Sequence, residues 1–330
     1  MKKILNNIEN IVPEMLKGMM LACPDLKVLP GTQVVVRKDG PVSGKVGLIS
    51  GGGSGHEPAH AGYVGEGMLD AACAGALFSS PSVDQMMEGI RAVDSGNGVL
   101  IIAKNYTGDN LNFDMAAELL SDEGIRVEKV VVKDDVAVEE NENTTGRRGV
   151  AGTVFVHKIA GAKAAAGANL DEVKAAAEKA IKNVHTFGFA LSPCIIPSVG
   201  KPSFELAEDE MELGTGIHGE AGVKRMQIPT SAELAQILVD KLEAERAFSA
   251  DDEVAVMVNG CGATPLMELY ILMQDVAKVL ENKKVKIYRS FVGNYMTSLE
   301  MAGGAVSVLK LDEELKLLLD AKAETPGFHV

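Results

Sequence analysis

The sequence predicts an α/β protein of two domains, each with a mixed or parallel sheet flanked by helices. Short runs of β-branched residues alternate with longer segments of helical periodicity, which is typical of strands connected through helices. Among the 330 residues, 35 are glycine, only 4% are aromatic and Trp is absent. This composition favours an aliphatic core with tight turns and close approaches between backbone segments.

The elements follow the chain in a regular order. Four strands are expected before an Ala-rich helical stretch, in which residues 171–184 form a helix capped at Asn169. Prolines, glycines and serines then mark a loop-rich region. Two more strands, a helix from about Pro265 and a terminal pattern, AVSVLKLDEELKLLLD, complete the chain. We therefore predict one domain over residues 1–184 and a second over 185–330. The predicted strands span residues 32–37, 45–50, 98–104, 126–132, 253–259 and 285–291.

Charge and targeting signals exclude several classes of protein. The formal net charge is -14, with no basic cluster, so a nucleic acid is not an expected partner. The N-terminal residues lack the apolar core of a signal peptide, and no apolar run is long enough to span a bilayer. The four cysteines form no CxxC pair, which indicates reduced thiols. We expect a cytoplasmic protein that does not bind a membrane.

The first candidate site is a glycine cluster, LISGGGSGHEP, at residues 48–58. An apolar strand leads into the glycines and then into a predicted helix start near Pro58. Glycines at such a position let backbone N–H groups approach the oxygen atoms of a ligand closely. The cluster has neither the Lys and Ser/Thr ending of a P-loop nor the spacing of a dinucleotide fingerprint. The alternative is a plain tight turn between a strand and a helix.

Residues 56–60, HEPAH, also match the zinc protease signature HExxH. That chemistry requires both histidines one turn apart on a continuous helix, with the Glu between them. His56 directly follows the glycines, and Pro58 is best suited to a first helical turn, so the two rings are not expected to share a face. A zinc metalloprotease is therefore the weaker hypothesis.

Two other loops carry candidate residues. Lys104 and Asp109 follow a strong strand, and open α/β sheets bind ligands beyond the carboxyl ends of their strands. The alternative is a polar loop in which Asp109 caps a helix that begins near Leu111. His218 lies between glycines in GTGIHGEAG, where its ring is accessible to act as a base, a ligand or a nucleophile. No partner for His218 is evident in the local sequence, and a lone His is more often structural.

Together these loops resemble the dihydroxyacetone-binding (DhaK) subunit of dihydroxyacetone kinases, over essentially the whole chain. Each motif appears in the same order as in that family, which makes coincidence implausible. The motifs are GGGSGHEPAHAGYVGEGML, AKNYTGDNLNF, RRGVAGTVFVHKIAGA, GTGIHGEAG, VNGCGATP and FVGNYMTSLEMAGGAVSVL.

The resemblance implies a role for each candidate residue. His218 would attack the C2 carbonyl of the substrate through a ring nitrogen and form a hemiaminal. His56 would act as a proton acceptor. Since a carboxylate can also accept the hydroxyl proton, Asp109 is the other candidate, giving three catalytic residues in all. The substrate-binding residues that the resemblance implies are Gly53, Ser54, Gly55, His56, Lys104 and Asp109.

The resemblance also implies partners. Single-chain dihydroxyacetone kinases that use ATP carry a further nucleotide-binding domain, which is not found after this portion. The expected arrangement is thus a phosphotransferase-system kinase, in which a DhaL subunit holds the Mg-nucleotide and a DhaM subunit rephosphorylates it. This chain would need no cofactor or metal of its own and would form a homodimer. The alternative is a regulatory paralogue that senses dihydroxyacetone as a transcriptional coactivator.

Overall fold

The structure is a computed structural model that describes residues 2–138 and 146–330. Eight α-helices and fourteen strands lie in these residues. The helices are α1 (Ile11–Ala22), α2 (Val83–Val93), α3 (Thr107–Ser121), α4 (Thr153–Ala165), α5 (Leu170–Asn183), α6 (Ser231–Glu245), α7 (Leu266–Asn282) and α8 (Glu313–Asp320). The strands are β1 (Leu26–Val28), β2 (Val34–Arg37), β3 (Gly47–Ser54), β4 (Ala71–Leu77), β5 (Val99–Lys104), β6 (Val127–Val132), β7 (Val184–Ala190), β8 (Glu210–Leu213), β9 (Lys224–Gln227), β10 (Glu253–Gly260), β11 (Lys286–Gly293), β12 (Gly303–Lys310), β13 (Glu324–Thr325) and β14 (Phe328–His329).

The chain divides into two compact units, and each unit is built from separate stretches of sequence. Unit 1 comprises Met1–Val132, Phe155–Ile181 and Leu315–Val330, and unit 2 comprises Lys133–Val154 and Lys182–Glu314.

This division differs from the single boundary that we predicted between residues 184 and 185. The stretch 133–154 belongs to unit 2, because Asp135 forms a parallel bridge with Thr186. The last sixteen residues belong to unit 1, where the backbone at Glu324 pairs with that at Glu66. Both assignments of a segment to a unit depend on pairing between residues far apart in the chain, which local sequence patterns do not indicate.

The sheet of unit 1 has six strands in the order β1-β2-β4-β3-β5-β6. β3 lies inside it, parallel to β4 and β5, and β6 continues the parallel part beside β5. β1 and β2 add antiparallel strands at the other edge. Every residue of β3 and β5 is buried, as expected for parallel strands covered on both faces. The carboxyl ends of these two central strands carry the glycine cluster and Lys104.

The sheet of unit 2 also has six strands, in the order β11-β10-β12-β7-β8-β9. Only β10 and β11 are parallel, and the other neighbours are antiparallel. The aliphatic residues of β10 pack with α6 and α7 in one core. Both units therefore have a mixed sheet flanked by helices, which confirms the predicted fold class.

Local signals explain the helix boundaries near these sheets. The helix predicted over 171–184 is observed as α5, and Asn169 caps it reciprocally with Glu172. The helix predicted from about Pro265 is observed as α7. Among the helices that the structure describes, none is both long and apolar enough to cross a membrane.

One stability prediction follows from glycine packing in helices. We predict that Gly161→Ala in α4 lowers the free energy of unfolding by about 1–3 kcal/mol, because the new methyl group would collide with the backbone of Gly67 and Met68. Urea denaturation of the two proteins measures the difference.

The matched control is Gly18→Ala in α1, where nothing lies within 4 Å of the added carbon. There the better helix propensity of Ala should stabilise by up to about 1 kcal/mol. Equal effects of the two substitutions would show that the contact with residues 67 and 68 does not restrict position 161.

Candidate functional site

The glycine cluster is part of the central strand β3 of unit 1, which continues as far as Ser54. We predicted that the strand ends at Ser50, before these glycines, but residues 51–54 still pair with β4. Glycine is required by close packing: a Cβ on Gly53 would lie 2.5 Å from the backbone N of Ser79 and 2.6 Å from Cα of Phe78. The backbone of β3 therefore lies directly against the segment that follows β4.

The segment after β3 forms turns and a short 3₁₀-helix at Ala61–Tyr63, and the α-helix predicted to begin near Pro58 is absent there. His56 is fully buried, and its ring stacks on Phe78 with centroids 5.0 Å apart and planes inclined by 16°. The HExxH signature needs a continuous helix, so this segment lacks the geometry of a zinc protease. Within the described part of the chain, no group of three or more His, Cys, Asp or Glu side chains could hold a metal ion.

Lys104 and Asp109 form a buried ion pair where β5 ends and α3 begins. Lys104 Nζ lies 3.6 Å from Asp109 Oδ2, and the two side chains are 1% and 4% exposed. The Ser80 hydroxyl donates a hydrogen bond to Asp109 Oδ1. Because α3 starts at Thr107 and not near Leu111, Asp109 lies in its first turn and is not its cap. The helix dipole stabilises a carboxylate in that position.

Three polar groups of unit 1 converge beside Gly52. A Cβ on Gly52 would lie 2.5 Å from Lys104 Nζ and 3.4 Å from Asp109 Oδ2. It would also lie 3.8 Å from His60 Nε2. We call the space around this point the Gly52 niche. An ammonium, a carboxylate and an imidazole thus lie within 4 Å of one point beside β3.

A cavity of about 400 Å³ also borders β3. It is lined by α1, by Gly52 and Gly53, and by the segment 57–62. Lys104 and Asp109 are not among its lining residues, and its walls are mainly apolar. Gly52 and His60 border both this cavity and the Gly52 niche, whereas Lys104 and Asp109 contribute their charges to the niche alone.

His218 lies in unit 2, in the loop between β8 and β9, and its side chain is 20% exposed. Glu220 contacts it twice: Oε1 lies 3.0 Å from Nδ1 of the ring, and Oε2 accepts a 2.8 Å hydrogen bond from the backbone N. Our interpretation that the local sequence contains no hydrogen-bond partner for His218 is wrong, since Glu220 lies two residues further along the chain. When Nδ1 donates to this carboxylate, the lone pair of the neutral ring is on Nε2.

Charges around the loop keep Glu220 ionised. Burial acts to raise the pKa of Glu220, but the hydrogen bond and charge of His218, with the charge of Arg148, outweigh it and lower the pKa to about 2. Arg148 also donates hydrogen bonds to the carbonyl of Gly214 at 2.8 Å and to Asp135 Oδ2 at 2.7 Å. Burial raises the pKa of Asp135 to about 6 in spite of this arginine. The His218 loop is thus anchored to a charged network of unit 2.

The predicted site residues fall into one group in each unit. His218 belongs to unit 2, and all the others belong to unit 1. Sequence reasoning missed Ser80, His60 and Glu220. The first two are recognised only through contacts between distant segments, whereas Glu220 was visible in GTGIHGEAG. The unit 1 group is Gly53, Ser54, Gly55, His56, Lys104 and Asp109.

Comparison with known proteins identifies the family. The profile of the Dak1 domain matches residues 17–327. The chain belongs to the Dak1 family. Its Dak1 relative in Listeria innocua, the "PTS-dependent dihydroxyacetone kinase 1, dihydroxyacetone-binding subunit DhaK", is 55% identical over 329 residues, which cover 98% of this chain and 100% of the relative. The resemblance inferred from the sequence motifs is confirmed.

Two solved structures share the fold of this Dak1 chain. The dihydroxyacetone kinase operon co-activator Dha-DhaQ is 40% identical, with a TM-score of 0.90 and 98% of each chain covered. The dihydroxyacetone kinase of C. freundii in complex with AMP-PNP and Mg²⁺ is 37% identical, with a TM-score of 0.89. That match covers 99% of this chain but only 61% of the kinase. A kinase and a co-activator thus share the Dak1 fold.

We predict that the Glu220 carboxyl titrates near pH 2 and that His218→Ala raises its pKa towards the ordinary value of 4.5. The substitution removes a hydrogen bond and a positive charge, while burial still favours the protonated acid. Because the folded-state pKa is the lower one, Glu220 contributes stability that is complete above about pH 4.5 and is lost as the pH falls through about 2. Titration of the carboxyl carbon by NMR measures both pKa values.

The control is His329→Ala, which removes an exposed histidine of unit 1. It should leave the Glu220 titration unchanged. An unaltered Glu220 pKa in the His218 variant would contradict the inferred pairing.

Proposed function

We propose that this chain is the dihydroxyacetone-binding subunit of a multi-subunit dihydroxyacetone kinase, a phosphoenolpyruvate-dependent glycerone phosphotransferase. The observation that carries the proposal is the contact between His218 and Glu220. An accessible imidazole oriented by a carboxylate is a nucleophile suited to a carbonyl group. The named function of the Listeria relative, which this chain matches over its full length, supports the same assignment.

Covalent capture would start at Nε2 of His218. Its lone pair attacks the C2 carbonyl carbon of dihydroxyacetone, and the electron pair of the C=O bond moves to the oxygen. The ring becomes positively charged in this step, and the Glu220 carboxylate at 3.0 Å stabilises that charge. Loss of the Nδ1 proton and uptake of a proton by the oxygen give the neutral hemiaminal.

Phosphoryl transfer would use the Gly52 niche. As the substrate hydroxyl attacks phosphorus it must lose its proton, and a positioned carboxylate such as Asp109 can accept it. The Lys104 ammonium stabilises the oxygen that develops negative charge. Residues 53–55 are the proposed backbone contacts for further substrate oxygens, although the N–H of Gly55 donates a 3.0 Å hydrogen bond to Glu57 Oε1 that substrate would have to replace. His56 is the second candidate proton acceptor.

The phosphoryl donor in this proposal comes from another subunit. Phosphoryl transfer needs a Mg-nucleotide, and the glycines of β3 form a buried strand without the Lys and Ser/Thr of a P-loop. We assign the Mg-nucleotide to a DhaL-type partner, recharged by a DhaM-type phosphocarrier, and assign no cofactor or metal to this chain. We also propose a homodimer in the cytoplasm.

A second candidate function is a dihydroxyacetone sensor that acts as a transcriptional coactivator. The structural match to the co-activator Dha-DhaQ favours it, because that chain has the same fold over its whole length. The two functions share a ligand pocket but not turnover. Reconstitution with DhaL-type and DhaM-type subunits separates them: production of dihydroxyacetone phosphate supports the kinase, and binding without turnover supports the sensor.

We predict that His218→Ala abolishes the covalent adduct with dihydroxyacetone, because the substitution removes the proposed attacking nitrogen. Intact-protein mass spectrometry after rapid quenching detects the adduct in the unaltered chain. His329→Ala, which removes an exposed histidine, should form as much adduct as the unaltered chain. Adduct at equal yield in the His218 variant would refute the assignment.

We predict that Asp109→Asn retains the adduct but lowers turnover in the reconstituted kinase by about a hundredfold to ten-thousandfold, since an amide cannot accept the hydroxyl proton. Steady-state formation of dihydroxyacetone phosphate measures the rate. The matched control is Asp114→Asn, an exposed aspartate on the same helix, which should leave turnover unchanged. Normal turnover of the Asp109 variant would indicate that His56, and not Asp109, accepts the proton.

A further inference from the structure

A pair of buried histidines lies beneath β3 in unit 1. His60 Nδ1 and His157 Nε2 are 3.0 Å apart, although 97 residues separate them in sequence. The exposed fractions of the two residues are 6% and 0%. Their rings meet edge to face at 73°, and the Ser50 hydroxyl lies 3.5 Å from His60 Nδ1. The orientation of the His60 ring is therefore set by contacts on its Nδ1 side.

Both histidines are neutral. Burial is the main cause that holds the pKa of His60 well below its usual value, and the positive charge of Lys104 adds to it. Burial and then Lys104 lower the pKa of His157 to about 3. A neutral pair can share only one proton between His60 Nδ1 and His157 Nε2. If His60 donates, its Nε2 carries a lone pair; if His157 donates, Nε2 of His60 carries a hydrogen.

The other ring nitrogen of His60 is directed at the Gly52 niche. His60 Nε2 lies 3.8 Å from the point that a Cβ on Gly52 would occupy. It is buried, and no described group of the protein hydrogen-bonds it. A buried polar atom of this kind costs free energy unless a ligand or water supplies the bond. In either tautomer of His60, Nε2 can thus form a hydrogen bond with a small polar group.

We propose that His60 is a further substrate-binding residue, whose Nε2 hydrogen-bonds a hydroxyl of the substrate in the Gly52 niche, and that His157 is its positioning residue. A hydroxyl is the matching group because it both donates and accepts, so it suits either arrangement of the shared proton. The ammonium of Lys104 and the carboxylate of Asp109 border the same niche and would contact this hydroxyl as well. The inference rests on the proposed function, which supplies a substrate with two hydroxyls.

The first test compares dihydroxyacetone binding by full-length variants, measured as the concentration that half-saturates the adduct in intact-protein mass spectra. His60→Ala should raise this concentration about five- to a hundredfold, the range for leaving a buried polar partner unsatisfied. His60→Gln, which keeps a donor and an acceptor, should recover most of the loss. His329→Ala should bind normally, because that histidine is exposed.

The outcomes separate this inference from the proposed function. If the unaltered chain forms the adduct and folded His60→Ala forms it at the same concentration, His60 is not a substrate ligand and only this inference is overturned. If the unaltered chain forms no adduct with dihydroxyacetone, the proposed function and the inference both fail.

The second test needs no substitution in the niche and so remains decisive if His60→Ala does not fold. In protein labelled with ¹⁵N-histidine, saturation with dihydroxyacetone should shift the Nε2 resonance of His60, and the His329 resonances should stay unchanged. His157→Gln should weaken binding less than His60→Ala and should also alter the His60 resonances before ligand is added, as expected of a positioning residue. An Nε2 resonance of His60 that does not move at saturation would overturn the proposal.

Discussion

The buried ion pair of Lys104 and Asp109 is the interaction on which the site in unit 1 depends. Removing two charges from water is costly unless each charge finds further polar partners. At 3.6 Å the pair alone is loose, and the Ser80 hydroxyl with the dipole of α3 completes the environment of the carboxylate. The ammonium in turn lies 2.5 Å from the place of a Cβ on Gly52, so that position tolerates no side chain without moving Lys104. One ion pair thereby restricts the residue types of β3, β5 and α3.

Close approach of backbone segments is the means by which unit 1 builds this site. A Cβ on Gly108 would lie 2.7 Å from Ser80 Oγ, and one on Gly53 would collide with the segment at residues 78–79. Three stretches of chain therefore meet without intervening side chains, so backbone groups and a few polar atoms form the walls. The abundance of glycine and the small aromatic content in the sequence have this physical cause. Larger residues in these places would separate the charged groups that the site brings together.

The sequence alone predicted those features of the fold that interactions between neighbouring residues determine. The apolar run of β5 ends in polar residues as predicted, and the helix α5 starts at its Asn169 cap. Local signals failed where pairing between distant segments decides the outcome. Residues 51–53 have weak strand propensity, yet β4 holds them in β3. The contact of His60 with His157 spans 97 residues, so no periodicity or motif could indicate it.

On the proposed function, substrate selection and proton transfer fall to chemically different groups. Only a carbonyl compound forms a hemiaminal with His218, so glycerol is rejected in spite of its similar hydroxyls. The Gly52 niche then has only to orient a hydroxyl of the substrate, whose proton Asp109 accepts. Burial keeps His60 and His157 neutral, so His60 supplies a polar contact to the Gly52 niche without adding a positive charge beside Lys104.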